Sequence, residues 1–543
     1  MNRPIVLLCA LMALVGSILV TTGPAATAVP AAATATPNQT HPGSWKVLNC
    51  PGVNPIHEGM LPSGNVVMVA GSGYNGEVFK QNMADPTLKL FKAWIWNPTS
   101  GACPREIPLP QDKDLFCSGM VSLPNGRILF FGGTKKYGIS GSRLYSPDYY
   151  NGIPDAYVFD EASESFTKVP NMSVGRWYGQ APVDGSGTPW VYSGLDENGA
   201  LTNKIDKFNP ATLTWSPGPA TTFGALPLYA GSVLLPSNNM AYTGTYFGDR
   251  NNQNPKAWNP RTGAATQAAI PGLLVPTCRD QGLTLKNASQ VAVIGGGCGA
   301  SATGQVSLLD VSQATLAFKN GPYLGYAAQH LCGAVLPDRS YFVSGGSVQN
   351  VTTRLEARRL GLGATAWQTL AKPTVPRLYH STCLPLLDGR VATMGTNYRN
   401  GTVESRIEIY TPWYAQGQGL VRPQITSLST LAAPLGARIT ATNSYASIKF
   451  ATLTKMPTST HSSDPNQLLW PVKNDWTAFG HVSFQLPTNG AVTPPGKYML
   501  SLLDWRGVPT VSKVFTILPK VSVSASVAVG AGSPAAAVPC CCC

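Results

Sequence analysis

Three side chains that can carry redox or metal chemistry occupy one position of an internal repeat. Cys117, Tyr178 and Tyr379 each lie sixteen residues before the glycine that closes a copy of the repeat, in the segments CSGMVSLPNGRILFFGG, YGQAPVDGSGTPWVYSG and YHSTCLPLLDGRVATMG. If the copies are blades of a radial array, residues at one repeat position converge on the central axis. The spacing therefore predicts a buried redox or metal site made by a thiol and two phenols from distant segments.

The same position can be read in every copy of the repeat. Counting back from each closing glycine gives Pro55, Cys117, Tyr178, Leu228, Asp280, His330 and Tyr379, and His380 follows at once. Two phenols and an imidazole suit Cu(II), which favours tetragonal coordination by nitrogen and oxygen, whereas zinc more often recruits cysteine or carboxylate ligands. A second imidazole must then come from elsewhere. The candidates for it are His41, His57, His330, His461 and His481.

The repeats themselves have the pattern of short β-hairpins. Each runs through an apolar strand, a turn rich in proline, asparagine, aspartate or glycine, and a second apolar strand. The closing glycines are Gly71, Gly133, Gly194, Gly244, Gly296, Gly346 and Gly395. Their spacing of roughly 50 to 60 residues is close to the kelch period, in which each unit is a four-stranded blade. With only 12% charged residues, the chain is predicted to be all-β, with a seven-bladed kelch-type β-propeller over residues 45–415.

A second β-domain and a low-complexity tail follow the repeats. Roughly 100 residues of short alternating strands, from ARITATN to GKYMLSLLDWRGVPTVSKVFTIL, show regular turns and no helical periodicity, which is typical of an immunoglobulin-like β-sandwich. We place this domain at residues 416–519. Residues 520–543 are rich in small residues and end in Cys540 to Cys543. We expect them to be disordered, whether the four thiols are lipidated, bind a metal or do neither.

The first 35 residues have the pattern of a secretory signal peptide rather than of a membrane anchor. Arg3 precedes an apolar run from Ile5 to Val20 and then an alanine-rich stretch, which is the order of regions in a cleaved leader. No later stretch approaches the roughly 20 apolar residues that span a bilayer. We therefore expect the protein to be secreted, without stable membrane insertion, and to act as a monomer.

Export places the cysteines in an oxidising compartment. Seven lie between the leader and the tail, so one of them has no disulfide partner within the chain. The pairs favoured by spacing and repeat position are Cys50 with Cys103, Cys278 with Cys298, and Cys332 with Cys383. With this pairing, Cys117 is the cysteine without a disulfide partner.

The net charge of +13 is spread along the chain, and no run of lysine or arginine exceeds a pair. A protein that reads nucleic acid would more often concentrate its charge in a stripe, so nucleic-acid binding is disfavoured. The charge fits adhesion to an anionic polysaccharide or cell-wall surface, or simply a solvated basic exterior.

Several motifs together resemble those of the copper radical oxidases, the family of galactose oxidase and glyoxal oxidase. They are FCSG, RWYG, RLYHS, THSSDPNQ and PPGKYMLSLLDWRGVPTVSK, and the resemblance covers nearly the whole chain after the leader. It implies a copper cofactor and a protein-derived radical on a tyrosine that is joined to a cysteine by a thioether bond. It also implies a small aldehyde or primary alcohol as substrate, with O2 as oxidant and hydrogen peroxide as product.

The resemblance assigns a role to each of five residues. Cys117 and Tyr178 look like the pair that forms the thioether, and the modified Tyr178 binds copper and holds the radical. Tyr379 is similar to the axial tyrosine ligand, His380 to the first histidine ligand and His461 to the second, which arrives from the C-terminal domain. In the implied reaction Tyr379 takes the hydroxyl proton and the Tyr178 radical abstracts a carbon-bound hydrogen atom, after which O2 reoxidises the site.

Two departures from the family pattern bear on the substrate. Galactose oxidase has a tryptophan stacked over the thioether, whereas the comparable stretch here, around Leu195 and Asp196, has no aromatic residue. The histidine motif of the family often continues with Gln-Arg-Arg, whereas Leu468 and Leu469 stand in the last two of those positions here. These differences favour a glyoxal-oxidase-like preference for small aldehydes over galactose.

Two residue roles and the choice between two functions stay open at the level of sequence. Asp280 and His330 either line a substrate channel or hold neighbouring blades together, and Trp177 either shields the radical or merely packs. A catalytically silent kelch-type module that binds glycans or cell-wall polymer would have the same fold. Such a module has no reason to keep the five residues of the copper site together, so these residues discriminate between the two functions.

Overall fold

The computed structural model describes residues 39–520, with gaps at 86, 111, 139–145, 249–252, 276–278, 299, 399–400, 418, 445–446 and 479. The predicted signal peptide at 1–35 and the predicted disordered tail beyond residue 520 lie outside the described residues. Within the described ranges, none of the helices has the length and apolar character needed to cross a membrane.

Six sets of four antiparallel strands, counted over the described residues, form sheets of a β-propeller. The first sheet also pairs with Thr458–Thr460, and the fourth pairs with Leu469–Ala478. The strands of the first three sheets are His57–Met60, Val66–Gly71, Lys92–Trp96 and Arg105–Ile107; Gly119–Ser122, Ile128–Phe131, Ala156–Asp160 and Ser165–Val169; and Ser232–Leu234, Met240–Tyr242, Lys256–Trp258 and Ala265–Gln267. The strands of the next three are Leu283–Asn287, Gln290–Ile294, Val306–Asp310 and Phe318–Asn320; Cys332–Val335, Tyr341–Ser344, Ala357–Leu360 and Gln368–Thr369; and Thr382–Pro385, Val391–Met394, Arg406–Thr411 and Ser44–Asn49. The predicted all-β class with a propeller is confirmed.

One repeat forms a smaller sheet. Its strands are Trp190–Val191, Asp206–Asn209 and Thr214–Pro217, in that order. The segment before Trp190–Val191 pairs with the residues flanking that strand through two isolated β-bridges. These bridges join Gln180 to Tyr192 and Val183 to Pro189. Because this repeat has three strands rather than four, the count of seven full blades stays a prediction.

The first strand of each sheet lies towards the interior of the propeller. His57–Met60 contacts Gly119–Ser122 on one side and Thr382–Pro385 on the other, and Cys332–Val335 contacts both Leu283–Asn287 and Thr382–Pro385. These strands are almost fully buried, because each sheet packs both faces against its neighbours, even where they carry polar residues such as Glu58 and Thr382. Residues at their amino ends therefore meet near one axis.

The last sheet is closed by the two ends of the repeat region. Ser44–Asn49 pairs antiparallel with Arg406–Thr411, with Trp45 opposite Tyr410. A strand from the start of the described chain thus forms the outermost strand of a sheet whose other three strands come from the end of the repeats, which joins the two ends of the ring.

Disulfides join the repeats as predicted where both cysteines are described. The bridges are Cys50 with Cys103 and Cys332 with Cys383. Cys298 is also disulfide-bonded, and its predicted partner Cys278 lies outside the described residues. Cys117 is the free cysteine of the described residues, and it is buried.

Three buried arginines brace the turns that lead to the axis. Arg176, Arg279 and Arg377 are almost completely inaccessible to solvent. Each guanidinium donates to backbone carbonyl oxygens of its own repeat; that of Arg377 reaches three of them at 2.6–2.9 Å. Arg176 also pairs with the buried carboxylate of Asp206 at 2.7 Å. The arginine that opens the RWYG and RLYHS motifs is therefore structural, and it fixes the turn that carries the following residues.

Short elements lie between the main strands. They are the α-helix Gly76–Ala84, the 3-10 turns Ser72–Tyr74 and Trp413–Ala415, and the hairpins of Thr134–Lys136 with Asn151–Gly152, Gly297–Cys298 with Ser301–Ala302, and Ser347–Val348 with Thr352–Thr353. The helix begins where the Asn75 side chain accepts hydrogen bonds from the backbone N–H groups of Glu77 and Val78. It occupies the extra length of the first repeat, which sequence spacing did not resolve.

The C-terminal domain is a β-sandwich with its own apolar core. Its strands are Ile425–Leu428, Ala432–Pro434, Arg438–Asn443, Ile448–Lys455, Leu469–Ala478, His481–Gln485, Gly496–Asp504 and Lys513–Leu518. Leu469–Ala478 pairs in both sheets, with Ile448–Lys455 in one and His481–Gln485 in the other. Buried residues of the two sheets, such as Leu453 and Phe484, form one core cluster.

A segment of the C-terminal domain enters the axis of the propeller. Its strand Thr458–Thr460 pairs antiparallel with His57–Met60 and contacts the first strands of the two neighbouring sheets. The residues of the THSSDPNQ motif then tie this segment to several repeats. Asn466 accepts from the backbone N–H of Val183 at 2.8 Å, and Gln467 accepts from that of Lys286 at 2.7 Å. The motif therefore delivers His461 to a defined place on the axis.

Candidate metal centre

One residue in each of six repeats turns its backbone into the left-handed region as the chain reaches the axis. These residues are Cys117 (φ 62°), Tyr178 (66°), Tyr229 (41°), Gln281 (56°), His330 (58°) and His380 (66°). Residues other than glycine seldom adopt this conformation, and such positions cluster at functional sites because the surrounding structure must hold them. The shared conformation identifies the equivalent axial position in each repeat.

The axial position departs by one residue from the predicted register in three repeats. The structure places Tyr229, Gln281 and His380 there, in place of Leu228, Asp280 and Tyr379. In these repeats the axial residue lies fifteen rather than sixteen residues before the closing glycine. The hairpin after Gln281 is one residue shorter than the hairpin after Cys117. The hairpins after Tyr229 and His380 have the same length as that after Cys117, and there the closing glycine itself lies one residue earlier. Pro55, predicted at this position of the first repeat, has no left-handed φ.

Backbone hydrogen bonds link the axial residues of neighbouring repeats. The N–H of Tyr178 donates to the carbonyl oxygen of Cys117 at 3.1 Å, and the N–H of Tyr229 donates to that of Tyr178 at 3.0 Å. The N–H of His330 donates in the same way to the carbonyl oxygen of Gln281 at 3.1 Å. The left-handed turn aims each N–H at the preceding repeat, so it also sets neighbouring axial side chains against each other.

The five residues predicted to form the site lie together. The hydroxyl groups of Tyr178 and Tyr379 form a hydrogen bond, and Nε2 of His461 lies 2.9 Å from the Tyr178 hydroxyl oxygen. The rings of His380 and His461 are 4.5 Å apart between centroids. The Cys117 sulfur and one ring nitrogen of each histidine all lie within 4.8 Å of one another. Two phenol oxygens and two imidazole nitrogens thus face one small volume.

The second nitrogen of each imidazole is held by a neighbour, which directs the first towards this volume. Nδ1 of His380 lies 2.9 Å from the side-chain oxygen of Asn397. A carbonyl oxygen only accepts, so Nδ1 carries the proton and Nε2 presents its lone pair. Nε2 of His380 is buried and has no hydrogen-bond partner among the described residues. Nδ1 of His461 lies 2.8 Å from the Thr460 hydroxyl. Histidines that bind metals are commonly oriented by such a hydrogen bond to their other ring nitrogen.

Burial keeps the protein side chains of this volume uncharged. It raises the pKa of Tyr178 and Tyr379 well above the ordinary value and lowers the pKa of His380 to about 3. It also raises the pKa of the Cys117 thiol. A cation in their midst would reverse this preference for the phenols, because a positive charge stabilises phenolate. The donor set and the unpaired Nε2 of His380 therefore fit a Cu(II) ion held by nitrogen and oxygen.

Cys117 lies where a bond to Tyr178 can form. Its side chain is fully buried and within hydrogen-bonding reach of the Tyr178 side chain. The two residues also share a backbone hydrogen bond. Cys117 is therefore a buried thiol without a disulfide partner among the described residues, next to a phenol of the candidate metal site.

Aromatic rings cover both faces of Tyr178. Trp177 stacks on one face with ring centroids 3.7 Å apart and an interplanar angle of 9°, and Tyr229 stacks on the other at 4.3 Å and 27°. Tyr150 stacks in turn on Trp177 at 4.5 Å. The stretch around Leu195 contributes no ring, as its sequence requires, and Trp177 supplies the stacked indole instead. Trp177 therefore shields Tyr178, and Tyr229 was missed because of the one-residue shift in register.

A cavity of about 400 Å³ opens onto the two tyrosines. Besides Tyr178 and Tyr379, its polar wall includes Asp280, Gln281 and His330. This volume suits a small ligand. Asp280 and His330, whose role the sequence left undecided, therefore line the cavity next to the candidate metal site.

The other predicted imidazoles lie elsewhere. His57 is fully buried beside His461, with ring centroids 6.2 Å apart, and burial lowers its pKa to about 3. His41 accepts a hydrogen bond from the backbone N–H of Gly43, far from the axis in sequence and packing. His481 is exposed on a strand of the sandwich. Of the candidates for the second imidazole, His461 is the one that faces the four-donor volume.

Two further residues of the site gave no distinct signal in the sequence. Asn397 holds His380, and Asn350 accepts a hydrogen bond from the backbone N–H of Tyr379 at 2.9 Å. Asn350 also donates to the carbonyl oxygen of Asn397 at 3.2 Å. Both asparagines lie on loops after a closing glycine, where polar residues are common, so composition alone does not single them out.

Comparisons with known proteins agree with this geometry. The family model described as Galactose oxidase-like, Early set domain matches residues 422–517. Galactose oxidase of Gibberella zeae is 24% identical over 487 residues, which cover 84% of this chain and 67% of that protein. Aldehyde oxidases of Vitis pseudoreticulata and Arabidopsis thaliana are 28% identical over 169 and 172 residues, 28% of this chain and 32% and 28% of those proteins.

A solved structure shares the fold. It is described as a novel fungal alcohol oxidase with catalytic diversity among the AA5 family, in complex with copper. The match has a TM-score of 0.74 at 20% identity and covers 88% of this chain and 100% of that one. The predicted resemblance to the galactose oxidase and glyoxal oxidase family is confirmed by these relatives, which span both the propeller and the C-terminal domain.

Proposed function

We propose that this chain is a copper radical oxidase that oxidises a small aldehyde to an acid or a primary alcohol to an aldehyde, with O2 as oxidant and hydrogen peroxide as product. One observation carries the proposal. The buried donors of Tyr178, Tyr379, His380 and His461 face one volume, and the free Cys117 lies against Tyr178. The homology to galactose oxidase and to aldehyde oxidases supports the reaction class.

Copper, held by these four side chains, would supply a one-electron redox couple and a place for the substrate oxygen. The protein-derived part of the cofactor comes from Cys117 and Tyr178. Coupling them forms a carbon–sulfur bond and removes the thiol hydrogen and one ring hydrogen, which O2 accepts as hydrogen peroxide. The sulfur substituent donates electrons to the ring, so the modified Tyr178 gives up an electron more easily than an ordinary tyrosine.

Two tyrosines divide the chemistry on the substrate. Tyr379 accepts the hydroxyl proton as general base, and the oxidised Tyr178 accepts a hydrogen atom from the neighbouring carbon. A primary alcohol, or an aldehyde after addition of water to give its hydrate, loses two hydrogen atoms in all, and O2 takes them up as hydrogen peroxide. The stacked rings of Trp177 and Tyr229 exclude water from the faces of Tyr178, which limits loss of the radical to solvent.

The rival function is a silent propeller that binds glycans or cell-wall polymer. A binding module needs exposed contacts on the rim and no buried set of metal donors. The unpaired Nε2 of His380 at the axis has no role in such a module, because a buried polar atom without a partner destabilises the fold unless a ligand satisfies it. The copper oxidase is therefore the better supported of the two.

Several finer features belong to the same proposal. The three-stranded sheet would count as a seventh blade, residues 1–35 would direct secretion, and the chain would act as a monomer. A preference for small aldehydes over galactose and adhesion to anionic polysaccharide or cell-wall surfaces are proposed with them. The net charge of +13 supports the proposed adhesion to anionic polysaccharide or cell-wall surfaces.

The decisive experiment is intact-mass analysis of the copper-free protein before and after exposure to Cu(II) and air. The proposal expects the loss of a pair of hydrogen atoms, together with copper binding at one site and release of hydrogen peroxide when small aldehydes or primary alcohols are added. The Cys117→Ala variant should bind copper and show no change of mass. An unchanged mass in the unmodified chain, with no peroxide from either substrate class, would favour the silent module.

A further inference from the structure

Asp114 places a buried carboxylate in the turn that leads to Cys117. Only 4% of its surface is exposed. Its Oδ1 accepts hydrogen bonds from the backbone N–H groups of Ser72 and Phe116, both at 3.0 Å. Its Oδ2 accepts from the hydroxyl groups of Ser72 and Tyr137, both at 2.6 Å. Both oxygens are therefore fully used to tie together three segments of the chain, three residues before the free thiol.

The closing glycines of two repeats enclose the Asp114 turn. A Cβ atom at Gly71 would collide with the Asp114 carboxylate and with the backbone nitrogen of Phe116. One at Gly133 would collide with the carbonyl oxygen of Asp114, which accepts a hydrogen bond from the backbone N–H of Thr134 at 2.9 Å. The first and second repeats therefore meet closely at this turn, and the Asp114 side chain bonds one to the other.

Cys117 needs external support for its backbone conformation. Its φ of 62° lies in the left-handed region, which costs free energy for a residue other than glycine and persists only where the surrounding structure imposes it. The preceding residue, Phe116, is held at both of its backbone polar groups. Its N–H donates to Asp114, and its carbonyl oxygen accepts from the Thr134 hydroxyl at 2.9 Å. A backbone that left this conformation would carry the Cys117 sulfur away from Tyr178.

We propose that Asp114 is a positioning residue for the bond between Cys117 and Tyr178, because it fixes the turn that holds the thiol next to the phenol. The inference rests on the proposed oxidase function. Coupling forms one carbon–sulfur bond and removes the thiol hydrogen and one ring hydrogen, which O2 accepts as hydrogen peroxide. Such a step depends on geometry, because a displacement of about 1 Å can slow a reaction by about 100-fold.

The Asp114 turn carries none of the four candidate copper donors. These donors are the side chains of Tyr178, Tyr379, His380 and His461. Phe116 touches His380, with ring centroids 5.4 Å apart, but the orientation of His380 is set by the bond from its Nδ1 to Asn397. Loss of the Asp114 carboxylate should therefore slow coupling while leaving copper binding largely intact.

The test follows the coupling reaction directly in the full chain. Copper-free protein is mixed with Cu(II) in air, and timed samples are reduced and digested to measure the fraction of the Cys117 peptide that is joined to the Tyr178 peptide. Reduction removes disulfides, so only the thioether is counted. In Asp114→Ala we expect the rate constant to fall by about 10- to 100-fold. The affinity for copper, measured by competition with a chelator, should change by less than about threefold.

Three further variants grade the effect. Asp114→Asn keeps an acceptor for the two N–H groups, and its amide nitrogen can donate to the two hydroxyl groups. This conservative change should keep the coupling rate within about threefold of that of the unmodified chain. Ser72→Ala and Tyr137→Phe each remove one hydrogen bond to Asp114 and should slow coupling by about two- to tenfold. They probe the same support if the alanine variant does not fold.

Asp338→Ala is the matched control. The side chain of Asp338 is 2% exposed and accepts from the backbone N–H and the hydroxyl of Ser340, from Arg359 and from the indole N–H of Trp413. It supports the turn of a hairpin in a different repeat from Asp114. Its loss should lower the midpoint of thermal unfolding to a similar extent and leave the coupling rate unchanged.

The outcomes separate this inference from the proposed function. Coupling in Asp114→Ala at the rate of the unmodified chain, or an equal slowing in Asp338→Ala, overturns the positioning role and leaves the oxidase standing. A rate in Asp114→Asn as low as in Asp114→Ala, or unchanged rates in both single-bond variants, also overturns it. Absence of the cross-linked peptide from the unmodified chain, together with no peroxide from any alcohol or aldehyde, overturns the oxidase as well. Slow coupling with retained copper affinity in Asp114→Ala, and normal coupling in the control, supports the positioning role.

Discussion

His380 depends on Asn397 for its orientation and its tautomer. The bond from Nδ1 to the Asn397 oxygen leaves Nε2 as the metal-facing atom, and Asn350 ties Asn397 to the backbone of Tyr379. Two candidate ligands from adjacent residues are thus set by one pair of asparagines. Loss of either asparagine should loosen both ligands without touching the copper itself.

We expect Asn397→Ala to weaken copper binding by about 10- to 100-fold, the usual effect of removing a partner that orients a metal ligand. Competition with a chelator of known affinity measures this change. Asn397→Asp keeps an acceptor opposite Nδ1 and should retain most of the affinity. Equal affinity in the alanine variant and the unmodified protein would show that His380 holds its orientation without this bond.

Tyr229 acts on Tyr178 through its ring rather than through its hydroxyl. Its hydroxyl donates to the carbonyl oxygen of Ser118 at 2.6 Å, whereas its ring covers one face of Tyr178. A stacked pair of this kind contributes about 1 kcal/mol. The contact should help to hold Tyr178 in its oxidised form.

We expect Tyr229→Leu to shorten the lifetime of the Tyr178 radical, because the substitution uncovers one face of the ring. The change of about 1 kcal/mol corresponds to a roughly fivefold effect. Electron paramagnetic resonance of the copper-free oxidised protein measures the decay. Tyr229→Phe keeps the ring and should decay at the original rate, and identical decay in both variants would contradict a role for the stack.

The arginine turns are the elements that place the axial residues. The guanidinium of Arg377 donates hydrogen bonds to three backbone carbonyl oxygens of its own repeat. The backbone carbonyl of Arg377 accepts a hydrogen bond from the N–H of Gly346 in the neighbouring repeat. Because the turn after Arg377 carries Tyr379 and His380, the fold and the metal site share this support.

We expect Arg377→Met to lower the free energy of unfolding by about 3 to 5 kcal/mol, since several buried carbonyl groups lose their donor. Urea denaturation measures the change. Arg438→Met removes an exposed arginine that pairs with Asp475 on the sandwich and should cost less than about 1 kcal/mol. A similar decrease in the free energy of unfolding in both variants would mean that the buried Arg377 stabilises the fold no more than the exposed Arg438 does.

The sequence was sufficient for the β class of the elements but not for the register of the repeats, and the roles of the five predicted site residues stay a prediction. Cys117 followed from the odd number of cysteines, and the repeat position brought Tyr178 and Tyr379 to one axis. Tyr229 was missed because Gly244, the closing glycine of its repeat, lies one residue closer to the axial position than Gly133 does in the repeat of Cys117. The backbone conformation that marks the axial residue is set by tertiary hydrogen bonds, which spacing does not encode.

Both histidines and carboxyl groups are buried around the axis of the propeller. Burial lowers the pKa of His57, His330 and His380 from 6.5 to about 3. It raises the pKa of Glu58 from 4.5 to about 8 and that of Asp464 from 3.8 to about 6. The folded copper-free protein therefore keeps these three imidazoles neutral and Glu58 protonated near neutral pH, whereas Asp464 is protonated only below about pH 6.

These shifts predict an optimum of stability for the copper-free protein near pH 6 to 7. Below pH 6.5 each imidazole takes up a proton on unfolding, so the free energy of unfolding falls by up to about 1.4 kcal/mol per pH unit and per imidazole towards pH 3. Glu58 loses a proton on unfolding between about pH 4.5 and pH 8. Below pH 6.5 the imidazoles outweigh this effect, and above pH 6.5 it makes stability decline more gently up to about pH 8. Urea titrations at a series of pH values measure both limbs, and a flat profile between pH 4 and 6 would contradict the buried neutral imidazoles.

The order in which the ribosome makes the chain gives the inserted strand Thr458–Thr460 a further consequence. Three of the four candidate copper donors are synthesised with the propeller, whereas His461 emerges later, on the segment that pairs with the first repeat. A nascent or prematurely terminated chain thus lacks a complete set of donors. Under the function proposed above, the donor set would be completed only after the final domain has docked, so an unfinished chain would not yet act on substrate inside the cell that makes it.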